Sequence, residues 1–498
     1  MFLEGLKLVC TFTNFSMMTL GVFVGLSFGA IPGLTFITGI IILLPLTFGV
    51  DPVSAVSLLL GVYCGGMTGG SVTSILLGIP GTPSAAATLF DGHEMHKKGE
   101  SGKAMMMALI ASVFGGLFSL LILSLVAPQI ARAAIKLGPV ELFAIVMMGF
   151  STICRVSEKN LLKGLISGCI GLMITTVGLD PITGQQRYTF GSFHLMNGID
   201  MMALLIGIFA FPEMIEILSS RDVVSYTEGK NYDSRIRMTF PTFKEIKGCL
   251  SVMIRSSIIG TIIGAIPGPS GPIAAFLSYD HAKSSSKHPE RYGTGILEGV
   301  AAPESSNSAV SGGTMIPLLT LGIPGDNATA VILGAFLIHG LQPGPLLFRE
   351  NGAFIYGILI SLFFINILMF IIHYFGIRFF IKIFSISKIK LSVSILALCV
   401  IGSYASNLNY TNVYVMFFAG FIGYILLKCG FPTTPLLLGN VLGRIIEYNM
   451  RTSLILSKGD VSIFIRRPIS LVVLILAVLI LFNPQIKALI LRIRKKNG

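Results

Sequence analysis

Residues 8 to 50 contain no charged side chain, and neither do residues 52 to 90 or 104 to 131. The core of a soluble protein does not require uncharged runs of this length. The hydrocarbon layer of a bilayer does, because one helical crossing takes about 20 apolar residues. The first two runs are each long enough for two segments, and the third for one long helix. Only 12% of the 498 residues are charged, against about 25% in an ordinary soluble chain, and mean hydropathy is +0.83. The chain therefore reads as an all-α polytopic membrane protein, with about twelve spans by the hydrophobic-length rule.

The formal net charge of +13 would point to nucleic acid in a soluble protein. Here the Lys and Arg residues fall mainly in short loops between apolar runs. There they act as orientation signals facing the cytoplasm and anionic headgroups. Membrane lipids are therefore expected as partners and nucleic acid is not. Cys10, Cys64, Cys154, Cys169, Cys249, Cys399 and Cys429 stand singly, most within apolar stretches, and read as small buried hydrophobes. The N-terminus lacks a strongly basic region and a small-residue cleavage site, so the first span is expected to be retained.

An internal repeat organises the chain. Gly25-Leu26-Ser27-Phe28-Gly29-Ala30-Ile31-Pro32-Gly33 recurs as Gly260-Thr261-Ile262-Ile263-Gly264-Ala265-Ile266-Pro267-Gly268, an offset of 235 residues (Gly25 to Gly260). Leu77-Gly78-Ile79-Pro80-Gly81 recurs as Leu321-Gly322-Ile323-Pro324-Gly325, an offset of 244 (Leu77 to Leu321). This divides the chain into a first membrane repeat at 1–218, a basic cytoplasmic linker at 219–248, and a second membrane repeat at 249–498 that ends in a span and a basic tail. Basic loops alternate oppositely in the two halves. The segment Phe48 to Pro52 has no basic residue and is followed by the basic His93 to Lys103 loop. In the second half His281 to Arg291 is basic, while the later loop has only Arg349 beside Glu350. Equivalent loops then lie on opposite faces, which is the expectation for two inverted-topology repeats with broken or re-entrant helices. The tail from Lys487 to Lys496 conflicts with this alternation. Its charge favours the cytoplasm and the span count places it outside, which points to an uncounted span near 440–460 or to a tail lying on the surface.

Each half carries two Pro-Gly pairs, at Pro32-Gly33, Pro80-Gly81, Pro267-Gly268 and Pro324-Gly325. Proline removes a donor and glycine loosens the backbone, so each pair should interrupt a helix. In lipid, an interruption survives only where protein or a water-filled site replaces the lost hydrogen bonds. The restarting helix offers free N–H groups and a positive dipole end, suited to a carboxylate. The carbonyls that end the preceding helix suit a cation such as Na⁺. The expected substrate-binding set is Gly33, Thr35, Ser71, Gly81, Thr82, Ser84, Gly268, Ser270, Asn307 and Thr329. The expected ion-coupling set is Glu304, Asn307 and Asp326. Glu304, beside an apolar segment, either ligates Na⁺, carries a proton, or caps a helix together with Ser305 and Ser306. No catalytic residue, cofactor or resident metal is expected apart from Na⁺ or H⁺ as coupling ion. No H-E-x-x-H, C-x-x-C or Walker-type phosphate loop occurs.

These motifs resemble the large membrane subunit of the tripartite tricarboxylate transporter family. The resemblance rests on Pro32-Gly33-Leu34-Thr35, Gly65-Gly66 through Gly69-Gly70-Ser71, Leu77 through Pro83, and Asp91-Gly92-His93-Glu94-Met95. It continues in Ile266-Pro267-Gly268, Glu298-Gly299-Val300, Pro303 through Asn307, Leu321 through Gly325, and Gly340 through Pro345. It covers roughly residues 10 to 440. It implies secondary, ion-gradient-driven import of small carboxylates at the cell inner membrane, with a small four-helix membrane subunit and an extracytoplasmic solute-binding protein as partners. The rival readings are a partner-independent carboxylate carrier or channel and, from another class, an intramembrane lipid-modifying enzyme. The enzyme would need a clustered acid–base or metal set, which the sequence lacks.

Overall fold

Helices account for nearly all of the regular structure. The computed structural model describes residues 2–156, 160–219, 238–268, 270–383, 388–405 and 408–496. In chain order these form α1 (Phe2–Val9), α2 (Phe12–Ala30), α3 (Phe36–Leu43), α4 (Pro52–Leu77), α5 (Leu89–Lys97), α6 (Ser101–Ala134), α7 (Pro139–Val156) and α8 (Leu161–Thr175). A two-residue pair of β1 (Gly178–Leu179) with antiparallel β2 (Gln186–Arg187) follows. Next come α9 (Met201–Leu205) and α10 (Phe211–Ser219), joined through a π-helical turn at Ile206–Ala210. The remainder is α11 (Phe243–Ala265), α12 (Ser270–Ser284), α13 (Leu297–Leu321), α14 (Asn327–Ile338), α15 (Pro345–Glu350), α16 (Gly352–Ile383), α17 (Lys388–Ala405), α18 (Tyr410–Lys428), α19 (Thr433–Leu456), α20 (Ile463–Arg466) and α21 (Pro468–Lys496). Among the described residues, seven helices are long and apolar enough to cross a membrane, and shorter apolar helices accompany them. The all-α polytopic class is as the sequence indicated. Most of the expected linker, residues 220–237, lies outside the described residues, as do Lys159 and Pro269, and α11 already begins at Phe243.

The breaks have local causes. Ile31 and Ile266 precede prolines and leave the helical region, with ψ of 113° and 118°. Helix α3 restarts on Thr35, whose side chain accepts from the Thr38 N–H. Helices α4 and α13 both stop on a left-handed glycine, Gly78 at φ 67° and Gly322 at φ 70°. A side chain is disfavoured in that conformation, so the Pro-Gly that follows finds its helix already ended.

The repeat extends to the packing. A Cβ placed on Gly25 would lie 2.3 Å from the Val62 carbonyl oxygen, and one on Gly260 would lie 2.1 Å from that of Ser306. One turn on, a Cβ on Gly29 would lie 2.2 Å from the Gly66 carbonyl oxygen and one on Gly264 2.7 Å from that of Val310. Val62 and Ser306, and Gly66 and Val310, are related by the second sequence offset. The α2–α4 and α11–α13 crossings are therefore the same crossing made twice, and both depend on glycines that let backbone touch backbone.

The chain divides into two compact units, Met1–Ala131 with Met201–Tyr424, and Arg132–Asp200 with Ile425–Gly498. The first contains every break and every expected site residue. In the second, α8 and α19 run side by side in the same direction. Lys163 Nζ meets the Cys429 carbonyl at 2.6 Å near one end, Gly439 packs on the Gly168 carbonyl, and Gly443 packs on Thr175. At the other end a charge network ties the β-pair to α19. Arg451 donates to Asp180 at 2.6 Å and to Glu447 at 3.0 Å, and Arg187 donates to Glu447 at 2.6 Å. The backbone N–H of Thr183 and then the Arg451 guanidinium hold the Asp180 carboxyl well below the usual carboxylate range. Helix α19 carries Arg444, Glu447 and Arg451, so it does not stand out as an apolar run. Its 24 residues are nonetheless long enough to cross alongside α8. Helix α21 then starts beside the start of α7, where Arg467 approaches Glu141 at 3.4 Å and Phe464 packs on Phe143.

Candidate functional site

The candidate site is built where the first-half loop after α4 meets the start of α12 and the middle of α13. Asn307, two and a half turns into α13, is 1% exposed. Its Nδ2 donates to the Met67 carbonyl of α4 at 3.1 Å, while its Oδ1 has no partner. One turn beyond Met67, Gly70 packs against Thr82, whose Oγ1 is likewise buried and unpartnered. Ser84 starts the short 3₁₀ turn at Pro83–Ala86 and points at α12. A Cβ on Gly271 would stand 2.5 Å from Ser84 Oγ and 3.5 Å from Asn307 Oδ1. Ser270, the first residue of α12, is 2% exposed, and its Oγ also lacks a partner. Buried polar atoms are nearly always hydrogen-bonded. Oxygens without a partner on Thr82, Ser270 and Asn307, with the Ser84 hydroxyl beside Gly271, gather at the start of a 15-residue helix and offer hydrogen-bonding groups that no side chain among the described residues uses.

Other expected residues lie elsewhere. Gly81 is pressed between the Gly29 carbonyl and Thr73, and its N–H reaches the Gly70 carbonyl at 3.4 Å. Gly268 donates to the Gly325 carbonyl at 2.8 Å. These two glycines hold the breaks in place. Ser71 bonds the Thr68 carbonyl of its own helix at 2.7 Å. Thr329 forms a reciprocal cap with Asp326, and Asp326 accepts from the Tyr63 hydroxyl at 2.6 Å. Beyond Gly33, at φ 88°, Thr35 does not face the Thr82 and Ser270 group. Its N–H donates to Glu213 Oε1 at 2.9 Å and its hydroxyl to Oε2 at 3.3 Å, and the Thr38 hydroxyl also donates to Oε2.

Glu304 is neither at the mouth of its helix nor a cap. Helix α13 begins at Leu297, so Glu304 lies two turns inside and fully buried. The Thr88 hydroxyl donates to it at 2.5 Å and that of Ser112 at 3.1 Å. Among the described residues no basic side chain is paired with it.

Three contributors were not singled out from sequence. Glu213 is the acid at the α3 restart, and the rule that marks ionisable groups in apolar segments would have found it. Tyr63 is the buried partner of Asp326. Asp91 accepts the Tyr279 hydroxyl and the N–H groups of Gly293, Gly295 and Ile296, and so fastens the loop before α13 to α5. Its only signal was a place in a motif of unknown role.

Residues 15–438 include all four breaks and all of these groups, and they match one family model. The chain belongs to the Tripartite tricarboxylate transporter TctA family. As a TctA-family protein it is the large membrane subunit of a tripartite tricarboxylate transporter, and with its apolar helices it is a multi-pass membrane protein. It is similar to an uncharacterized 52.8 kDa protein in the TAR-I ttuC' 3' region of Agrobacterium vitis, 36% identical over 490 residues and covering 97% of this chain and 96% of the relative. It is also similar to an uncharacterized protein in the TAR-II ttuC' 3' region of the same organism, 39% identical over 211 residues, with 42% of this chain and 87% of that relative covered. No solved structure matches.

Proposed function

We propose that this TctA-family protein imports a small carboxylate of the tricarboxylate class, driven by an Na⁺ or H⁺ gradient. The substrate is delivered by an extracytoplasmic solute-binding protein, and the chain works beside a small four-helix membrane subunit. The observation that carries this reading is the group of buried, unpartnered oxygens on Thr82, Ser270 and Asn307 around the first turn of α12. A helix start attracts an anion through its N–H groups and dipole. No Lys or Arg occurs between Pro52 and Phe90 or between Ser256 and Ser278, so a cation bound with the substrate adds the remaining positive charge. The two equivalent crossings support an inverted repeat, in which the two breaks rock about a shared site.

Proteoliposomes with both membrane subunits test the reading, given a labelled tricarboxylate, the binding protein and an imposed inward Na⁺ or H⁺ gradient. Uptake is expected only with the gradient and the binding protein together. Uptake that proceeds without the binding protein identifies a partner-independent carrier, and no uptake of any di- or tricarboxylate refutes the proposal. A thermal-shift screen of the binding protein against di- and tricarboxylates selects the substrate.

A further inference from the structure

The two helix restarts hold the same place in the repeat and differ in company. Thr35 and Ser270 are related by the same offset as Gly25 and Gly260. At α3, the backbone N–H and hydroxyl of Thr35 and the hydroxyl of Thr38 all converge on one carboxylate, that of Glu213. Glu213 belongs to α10, just after the π-helical turn at Ile206–Ala210, and is more than 170 residues away in the chain. Helix turns of this kind recur at functional positions. At α12 no acid approaches among the described residues, and the equivalent hydroxyl, Ser270 Oγ, is buried and unpaired. The second offset repeats the asymmetry. Tyr63 corresponds to Asn307, and Thr82 to Asp326. Tyr63 donates to Asp326 at 2.6 Å, whereas Asn307 Oδ1 and Thr82 Oγ1 both stand unpaired. One side of the repeat satisfies itself with its own carboxylates, and the other is left with polar atoms that nothing in the chain fills.

Resting on the carboxylate reading above, we propose that the α12 restart is the seat of a substrate carboxylate and that Glu213 is a tethered carboxylate filling the equivalent seat at α3. The chain displays its mode of recognition with its own side chain: the N–H of the residue that caps α3, plus hydroxyls from that residue and from the turn it opens. At α12 the Ser270 N–H is taken by the Gly268 carbonyl at 2.8 Å, so hydroxyls carry the equivalent contact. At α12 the hydroxyls come from Ser270, Thr82 and Ser84. Asn307 Oδ1 is an acceptor, so it meets a cation bound with the anion or a substrate hydroxyl. Gly271 completes the seat, because its missing side chain lets Ser84 Oγ and Asn307 Oδ1 come close to the first turn of α12, where a Cβ would stand 2.5 Å from the Ser84 hydroxyl. The transporter then has one substrate seat per chain, because the second is plugged from within.

The plug is tested on the purified full chain by unfolding temperature, which does not depend on what is transported. Glu213→Ala empties the α3 seat. Formate and acetate are expected to raise the unfolding temperature of this variant by several degrees more than that of the wild type, whose α12 seat alone is open, while chloride or acetamide under matched conditions is not. An Ala variant that folds but shows no carboxylate-specific rise overturns the plug. If the Ala variant does not fold, Glu213→Gln decides. It keeps shape and loses charge, so it is expected to melt below the wild type, and equality with the wild type shows that the seat needs no anion. The α12 seat is tested separately by Gly271→Ala, expected to weaken tricarboxylate binding about tenfold by overpacking. Unchanged affinity overturns that half of the proposal. If the wild type binds no carboxylate while formate still rescues Glu213→Ala, the transport reading has failed and the plug has not.

Discussion

Gly81→Leu is expected to lower carboxylate uptake roughly 100-fold or more at equal expression. A Cβ at this position would stand 2.4 Å from the Gly29 carbonyl, 2.4 Å from Thr73 Oγ1 and 2.9 Å from the Gly70 Cα. Two of the three obstacles are backbone, one on α2 and one on α4, and both helices are locked by glycine-to-carbonyl contacts along their crossing. Neither can retreat, so the loop that carries Thr82 and Ser84 must move, and it moves away from Ser270 and Asn307. Gly248→Leu is the control. A Cβ on Gly248 meets nothing within 4 Å, and this variant is expected to transport like the wild type. Normal uptake in Gly81→Leu would show that the loop position is irrelevant to transport and that the seat has been placed wrongly.

Glu304→Gln is expected to lower gradient-driven uptake by about 10- to 100-fold, the range set by losing hydrogen bonds to a charged group, and to remove its dependence on the coupling ion. Glu304 is fully buried in α13, and its two hydroxyl donors are Thr88 and Ser112. A carboxylate offers about four acceptor positions, and an isolated buried charge is prohibitive. Two hydroxyls leave it short of partners, and a proton or a coupling cation makes up the difference. Glutamine keeps the size and the acceptor facing Thr88, but it can neither take up a proton nor attract a cation. Uptake is measured in proteoliposomes while the Na⁺ and H⁺ gradients are varied independently. Unchanged gradient dependence would reduce Glu304 to a tie between α13, α6 and the start of α5. Glu304→Ala is a different experiment, because it leaves Thr88 and Ser112 unpaired and tests stability instead.

The spans, the two breaks and the repeat were legible because each has a local signature. Uncharged runs mark apolar helices, Pro-Gly marks a break, and a recurring nonapeptide marks equivalent crossings. The reading failed where meaning is carried by partners far apart in the chain. Thr35 and Ser270 hold the same place in the repeat, each a hydroxyl two residues after a Pro-Gly. What separates them is Glu213, and no spacing rule links residue 213 to residue 35. Ser71 looked like a site hydroxyl because it precedes a break, yet it bonds a carbonyl of its own helix turn, as Thr73 and Ser74 beside it do. Helix α19 showed in the sequence only through the conflict over the basic tail, for a related reason. Arg444, Glu447 and Arg451 lower its hydropathy, and only the fold shows that Arg187 and Asp180 at the end of α8 pair with the last two. Asp91 reads locally as an acid in the first turn of a short helix. Its work is to collect N–H groups from a loop some 200 residues later.

The most direct test of the α12 seat is substrate protection of a cysteine placed in it. Ser270→Cys, in a chain whose seven native cysteines are replaced, exchanges one unpartnered buried group for another of similar size. A helix start also favours the reactive thiolate. The rate of modification by a small thiol reagent is measured in reconstituted protein, with and without saturating tricarboxylate, beside a second chain that keeps the exposed Cys10 as its single cysteine. The expected result is that the carboxylate slows modification at position 270 at least tenfold and leaves Cys10 unaffected. Modification of position 270 at the same rate with and without carboxylate, in protein that transports it, contradicts the assignment of the seat.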